Sequence, residues 1–120
     1  MEKTVVILGT PYKVKKKRYE EEPYFKKNSC DGYCDSIEKE IIYCNMSTYP
    51  GWEEESEEKC RIVEMHTLRH ELIHAFLNES GLQENSAVLG FGWASNEEMV
   101  DWIAIQFLKI LEACRQVGAV

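Results

Sequence analysis

The sequence has no long apolar run and no excess of positive charge. The apolar stretch near its start covers only Val5 to Leu8 before Gly9, whereas a membrane-spanning helix needs about 20 apolar residues. The stretch is also short for a secretory signal peptide. Lysine and arginine number 14 against 21 acidic residues, a formal net charge of -7, and nucleic-acid-binding domains usually carry a basic excess. We therefore expect no membrane span, no signal peptide and no nucleic-acid ligand.

The sequence also lacks a regular cysteine framework. Its five cysteines are an odd number with irregular spacing, at Cys30, Cys34, Cys44, Cys60 and Cys114, which is a poor basis for disulfides. We expect reduced thiols and a cytoplasmic location. An alternative is a structural zinc module in which Cys30, Cys34, Cys44 and Cys60 bind the ion, although the close-set pairs typical of such sites are missing.

The length of 120 residues predicts one domain over 1–120. A β-branched run and a Gly9-Thr10-Pro11 turn predict a hairpin over residues 4–17, followed by a loop over 18–36. Glu40 to Cys44 reads as a strand, and apolar residues at three- and four-residue steps predict helices over about 57–80 and 96–116, joined by a connection over 82–94. Strands first and helices second give an α+β fold.

The segment His70-Glu71-Leu72-Ile73-His74 carries the clearest chemistry in the sequence. Residues four apart lie on one face of a helix, so His70 and His74 can present two imidazoles to one metal ion. Neutral imidazole suits Zn²⁺, and Glu71 is placed to reach a water on that ion. The sequence predicts a zinc site with Glu71 as the catalytic base; two surface histidines beside a glutamate are the alternative.

The third ligand is expected at the start of the second helix. We interpret Ser95 as its N-cap and Glu98 as the reciprocal partner of a capping box, which leaves Glu97 for the metal. Glu98 stays open as the alternative ligand, and charge at a helix N-terminus is the alternative role for Glu97. Asp101 shares the face of Glu97 and can accept the second N–H of a ligating histidine.

With a following Asn96-Glu97-x-x-x-Asp101, the His70–His74 motif resembles the gluzincin class of zinc metallopeptidases. The short chain, with strands leading into Thr67-Leu68-Arg69-His70, is similar to the ImmA/IrrE-like metallopeptidases over roughly residues 37–112. Many of these are encoded by phages and mobile elements, and some cleave repressors. The resemblance implies a minimal zincin-like domain, with a small β-sheet packed on the motif helix and a second helix behind it. The Met-Pro ending of that family's third motif is absent here.

The function expected from these residues is hydrolysis of a protein or peptide substrate, and a repressor is one candidate substrate. The sequence does not indicate the oligomeric state of the protein. The alternative is a catalytically silent zinc-binding module that recognises a partner protein. An edge strand at Glu40–Cys44 is our candidate for holding the substrate. His66 is a candidate oxyanion donor or spare ligand, or simply a helix-surface residue. Tyr43 and Tyr49 are further oxyanion candidates, whereas Trp93, Trp102 and Phe107 are expected in the core.

Overall fold

A computed structural model of the chain describes residues 2–82 and 92–120. Over these two ranges the architecture is α+β, as expected, with one four-stranded sheet, two long helices and a short third helix. The elements are β1 Glu2–Ile7, β2 Thr10–Lys17, α1 Pro23–Asn28, β3 Gly32–Asp35, β4 Glu40–Cys44, α2 Glu57–Glu79 and α3 Glu97–Gln116. Residues 83–91 of the predicted connection lie outside the described residues. No helix in the described ranges is long and apolar enough to cross a membrane.

The sheet has the order β1-β2-β4-β3 and is mixed. The predicted hairpin is confirmed, with β1 antiparallel to β2, but its turn lies at Leu8 and Gly9, both of which have positive φ. Pro11 therefore belongs to the strand and not to the turn. β2 then runs parallel to β4, with Val14 opposite Ile41, and β3 pairs antiparallel with the other side of β4.

Two expectations about strands were wrong. Glu40–Cys44 is a strand, but it lies inside the sheet between β2 and β3 and cannot be an edge. Its complete pairing agrees with the burial of Ile41 and Ile42, which are 0% and 2% exposed. The edge on this side is β3, which falls within the predicted loop over 18–36. That loop also contains α1, where Pro23 starts the helix and Phe25 is fully buried.

Helix α2 begins and ends as the sequence predicts. The Ser56 side chain caps it by accepting from Lys59 N at 3.1 Å, and Gly81 follows it with φ of +91°, which suits glycine. The helix packs across the sheet through two apolar clusters, and each cluster contains one of the two buried isoleucines of β4. One cluster contains Phe25, Ile42, Cys44, Met46 and Cys60, and the other Ile7, Tyr12, Ile41 and Ala75.

Helix α3 packs against α2 through its first half, where Val100 and Ala104 are fully buried. Its N-cap is Asn96, whose side chain accepts from Met99 N at 2.9 Å. The predicted Ser95–Glu98 capping box is therefore wrong, because Ser95 lies in a preceding 3-10 turn over Trp93–Ser95. The shift by one residue places Glu97 at the first position of the helix.

The expectation that Trp93, Trp102 and Phe107 form core was also wrong. Within the described residues they are 65%, 56% and 48% exposed. Helix α3 meets α2 along its small residues Val100 and Ala104, so its larger apolar side chains lie to the sides of that contact or away from it.

Candidate metal centre

The site is built on consecutive turns of α2. His66, His70 and His74 are spaced four apart and therefore lie along one face, and Glu71 lies beside that face. The ligand atoms of His70, Glu71 and His74 lie within 4.8 Å of one another, and this is the only such group among the described residues. The rings of His70 and His74 meet edge to face, with centroids 4.9 Å apart. The helix thus delivers both imidazoles to one location.

The first turns of α3 bring two carboxylates to these rings. Glu97 spans both histidines: its Oε2 is 3.0 Å from His70 Nε2 and its Oε1 is 2.7 Å from His74 Nε2. One turn later, Asp101 Oδ1 is 3.4 Å from His70 Nδ1. Glu98 is exposed, and the hydrogen bonds and ion pairs found at the three histidines do not include it. Of the two glutamates that the sequence left open, Glu97 is the one at the imidazoles.

The hydrogen bonds of His74 define which ring nitrogen carries its hydrogen. Its Nδ1 is 2.9 Å from the carbonyl oxygen of Ala94, and a carbonyl only accepts, so Nδ1 must donate. In a neutral imidazole Nε2 is then a lone pair. That lone pair faces Glu97 Oε1 at 2.7 Å, which is also an acceptor. Two acceptors this close repel each other unless a proton or a metal ion lies between them.

His70 has the same arrangement. Carboxylate oxygens face both of its ring nitrogens, from Asp101 on the Nδ1 side and from Glu97 on the Nε2 side. If Nδ1 donates to Asp101, Nε2 is a second lone pair directed at Glu97. Two imidazole lone pairs and a carboxylate therefore converge, which is the ligand set that Zn²⁺ accepts.

The distances fit such an ion. Ligand atoms about 2.0–2.1 Å from one zinc at tetrahedral angles lie about 3.3 Å apart, against the 3.0 and 2.7 Å between Glu97 and the two rings. The Glu97 side chain is 69% exposed, so it is free to withdraw by the few tenths of an ångström required. His70, His74 and Glu97 would be the three protein ligands, leaving the fourth position that a catalytic zinc keeps for water.

Glu71 is the most unusual side chain in this group. It is only 6% exposed, and no described residue bonds to its buried Oε2. Burial raises its pKa to about 7, the Glu97 carboxylate adds to the rise, and His70 opposes it. A buried carboxylate oxygen without a partner is costly, which makes Glu71 a candidate for a chemical role at this site.

Two depressions meet at Glu71 and Glu97, with volumes of about 370 and 380 Å³. One extends past His74 toward Tyr33 and the other past His70 toward Thr67. Both are bordered by Gly32 at the start of β3, the strand at the edge of the sheet. A Cβ at Gly32 would lie 2.5 Å from Thr67 Cγ2, so glycine is needed for β3 to approach α2 this closely.

The other candidates from the sequence have different surroundings. The five cysteines are unbridged, and no group of three metal-binding side chains in the described ranges includes one of them. The cysteine-based zinc module was therefore wrong. Tyr43 is buried and lines neither depression, and Tyr49 lines a smaller one next to Cys30. The role of the Ala94 carbonyl was missed, since a backbone acceptor leaves no signal in the sequence.

Comparison of the chain with known protein families, with characterised proteins and with solved structures gave no match.

Proposed function

We propose that this protein is a zinc-dependent metallopeptidase with a zincin-like domain, as its resemblance to the ImmA/IrrE-like family implies. The observation that carries the proposal is the convergence of His70 Nε2 and His74 Nε2 on the two oxygens of Glu97. The unpartnered oxygen of Glu71 beside them is the second support. A catalytically silent zinc module would need the three ligands but would not need a buried, unpaired carboxylate.

In this mechanism His70, His74 and Glu97 hold the ion and Glu71 moves the proton. Bound zinc supplies a water of lowered pKa and polarises the peptide carbonyl. The Glu71 carboxylate would take a proton from the attacking water as the water oxygen bonds to the carbonyl carbon, and would give that proton to the amine as the C–N bond breaks. Its low exposure keeps bulk water from competing for that proton. Asp101 holds the Nδ1 hydrogen of His70, and the Ala94 carbonyl holds that of His74.

Strand β3 gives this mechanism a way to position a substrate. Among the described residues it pairs only with β4, and Gly32, Tyr33 and Cys34 border the depression past His74. An extended peptide can add to an exposed edge as a further strand, with backbone hydrogen bonds supplying affinity. The proposed substrate is therefore an extended, locally unfolded segment of a protein, and a regulator such as a repressor is one candidate.

The test begins with metal content, measured by mass spectrometry on protein purified without a metal-binding tag. We expect about one zinc per chain. The ion should be lost in His74→Ala, and Glu97→Gln should weaken zinc binding, whereas Glu98→Gln should keep it as the matched control. Absence of zinc from the parent after zinc is supplied would refute the proposal, as would equal zinc loss in the Glu97 and Glu98 variants.

Catalysis is tested separately, with quenched fluorescent peptides of random sequence and with unfolded proteins. The zinc-loaded parent should cleave members of this set, and Glu71→Gln should bind zinc without cleaving them. Zinc binding without cleavage of any substrate in the parent would instead favour the silent binding module.

A further inference from the structure

His66 has a definite place in the network around the ion, although the sequence left its role open. It lies one turn before His70 on α2, and its Nε2 is 2.9 Å from Asp101 Oδ1. The same oxygen is 3.4 Å from His70 Nδ1. One carboxylate oxygen on α3 therefore contacts two histidines on α2, and the contact with His66 is the shorter.

The geometry argues against His66 as a metal ligand. Its contact is with Asp101, which lies on the Nδ1 side of His70 and not on the Nε2 side that faces Glu97. His66 therefore acts on the site through Asp101.

A carboxylate only accepts, so both rings must donate to Asp101: His66 from Nε2–H and His70 from Nδ1–H. The second of these leaves the His70 Nε2 lone pair directed at the metal position. Asp101 is 45% exposed. Its 3.4 Å hydrogen bond with His70 is long and would not by itself fix the position of an exposed side chain. The shorter bond to His66 fixes the carboxylate where it can orient His70.

We propose that His66 is a positioning residue of the metal centre, which holds Asp101 against His70 and thereby raises the affinity for zinc. The inference rests on the ligand set of the proposed function. It adds a residue that no element of the His70–His74 motif predicts. Since Asp101 follows Glu97 by one turn on α3, the same bond also helps to fix the start of α3 over the histidines.

The test measures the zinc dissociation constant by competition with a chromophoric chelator. Partners beyond the ligands themselves typically change metal affinity by about 10- to 100-fold. We expect about a 10-fold loss in His66→Phe, which keeps a ring but has no donor, and a smaller loss in His66→Gln, which keeps an N–H donor. Arg69→Met is the matched control: it removes another α2–α3 bond, from Arg69 Nε to Ala104 O, and should leave the dissociation constant unchanged.

A double variant separates positioning from general damage. If His66 acts only through Asp101, His66→Phe in an Asp101→Asn background should cost no further affinity. Nitrogen NMR of the zinc-loaded protein gives a second readout. His70 should carry its hydrogen on Nδ1 in the parent, and the signals of its ring nitrogens should shift in His66→Phe.

The outcomes distinguish the two proposals. If the parent binds zinc through His74 but His66→Phe has the parent's affinity and NMR signals, the positioning role is overturned and the metal centre stands. Additive losses in the double variant would also overturn it. If the parent binds no zinc, the proposed function and this inference fail together.

Discussion

Two of the glutamates on helix α2, Glu71 and Glu79, lie about two turns apart and have opposite surroundings. Glu79 accepts from Tyr12 OH at 2.6 Å, Lys39 Nζ at 2.6 Å and Thr10 Oγ1 at 3.0 Å. Those bonds, led by the one from Lys39, lower its pKa to about 2. Glu71 is buried with an oxygen to which no described residue donates a hydrogen bond, and burial raises its pKa to about 7.

The contrast separates structure from function on one helix. Glu79 is supplied with donors from the hairpin and from the residue before β4, so its carboxylate joins α2 to the sheet. Another buried glutamate, Glu64, is also satisfied, by Lys16 Nζ and Met46 N, each at 2.8 Å. Glu71 is the exception, because its Oε2 has no hydrogen-bond partner among the described residues, and the Glu71 side chain lies beside His70 and His74. An unsatisfied group among satisfied ones is a candidate for contact with a water molecule, an ion or a substrate.

The largest expected effect comes from Glu71→Gln. Peptide cleavage should fall by about 10²- to 10⁴-fold, the range for loss of a general base, whereas zinc stoichiometry should stay the same. The metal-free variant should melt at a higher temperature than the metal-free parent, because an amide costs less to bury than an unpaired carboxylate. Calorimetry of both proteins after chelation measures this. A lower melting temperature would mean that Glu71 has a stabilising partner, and the contrast with Glu79 would fail.

Tyr12→Phe tests the satisfied end of the helix. The Tyr12 ring is fully buried, and its hydroxyl donates to Glu79. Loss of a hydrogen bond to a charged group should lower the free energy of unfolding by roughly 1–3 kcal/mol, measured by urea denaturation, without changing zinc affinity. Tyr43→Phe is the control, because the hydroxyl of Tyr43 makes no hydrogen bond within the described residues. Equal losses in the two variants would assign the effect to packing.

The local part of the metal centre could be predicted from the sequence. Helical spacing alone places His70, Glu71 and His74 together, and a helix start near Asn96 places Glu97 and Asp101 one turn apart. The error in the predicted N-cap, Ser95 in place of Asn96, did not affect this prediction, because both carboxylates still lie on the face of α3 toward α2. The choice of Glu97 over Glu98 nevertheless required the structure, since both lie in the first turn of the same helix.

The parts that failed depend on distant residues. β3 is four residues long and is defined by pairing with β4 and by the approach of Gly32 to Thr67, neither of which is a local signal. β4 is interior because β2 pairs with it in parallel after a long connection. The donors to Glu79 likewise come from residues 10, 12 and 39. Such contacts cannot be read from periodicity or turn residues.

The smallest expected effect is on acid stability, and it applies to Glu79. Its pKa is lowered from an ordinary 4.5 to about 2 in the folded chain, so the unfolded chain takes up the proton first. The stabilisation is therefore complete above about pH 4.5 and is lost as the pH falls toward 2. Melting temperatures between pH 2 and pH 6 should fall less steeply in Glu79→Gln than in the parent, although the variant starts lower at pH 6. Glu98→Gln, which changes an exposed glutamate on α3, should follow the parent curve. Parallel curves for the parent and Glu79→Gln would show that the donors around Glu79 do not lower its pKa. The contrast between Glu79 and Glu71 would then fail.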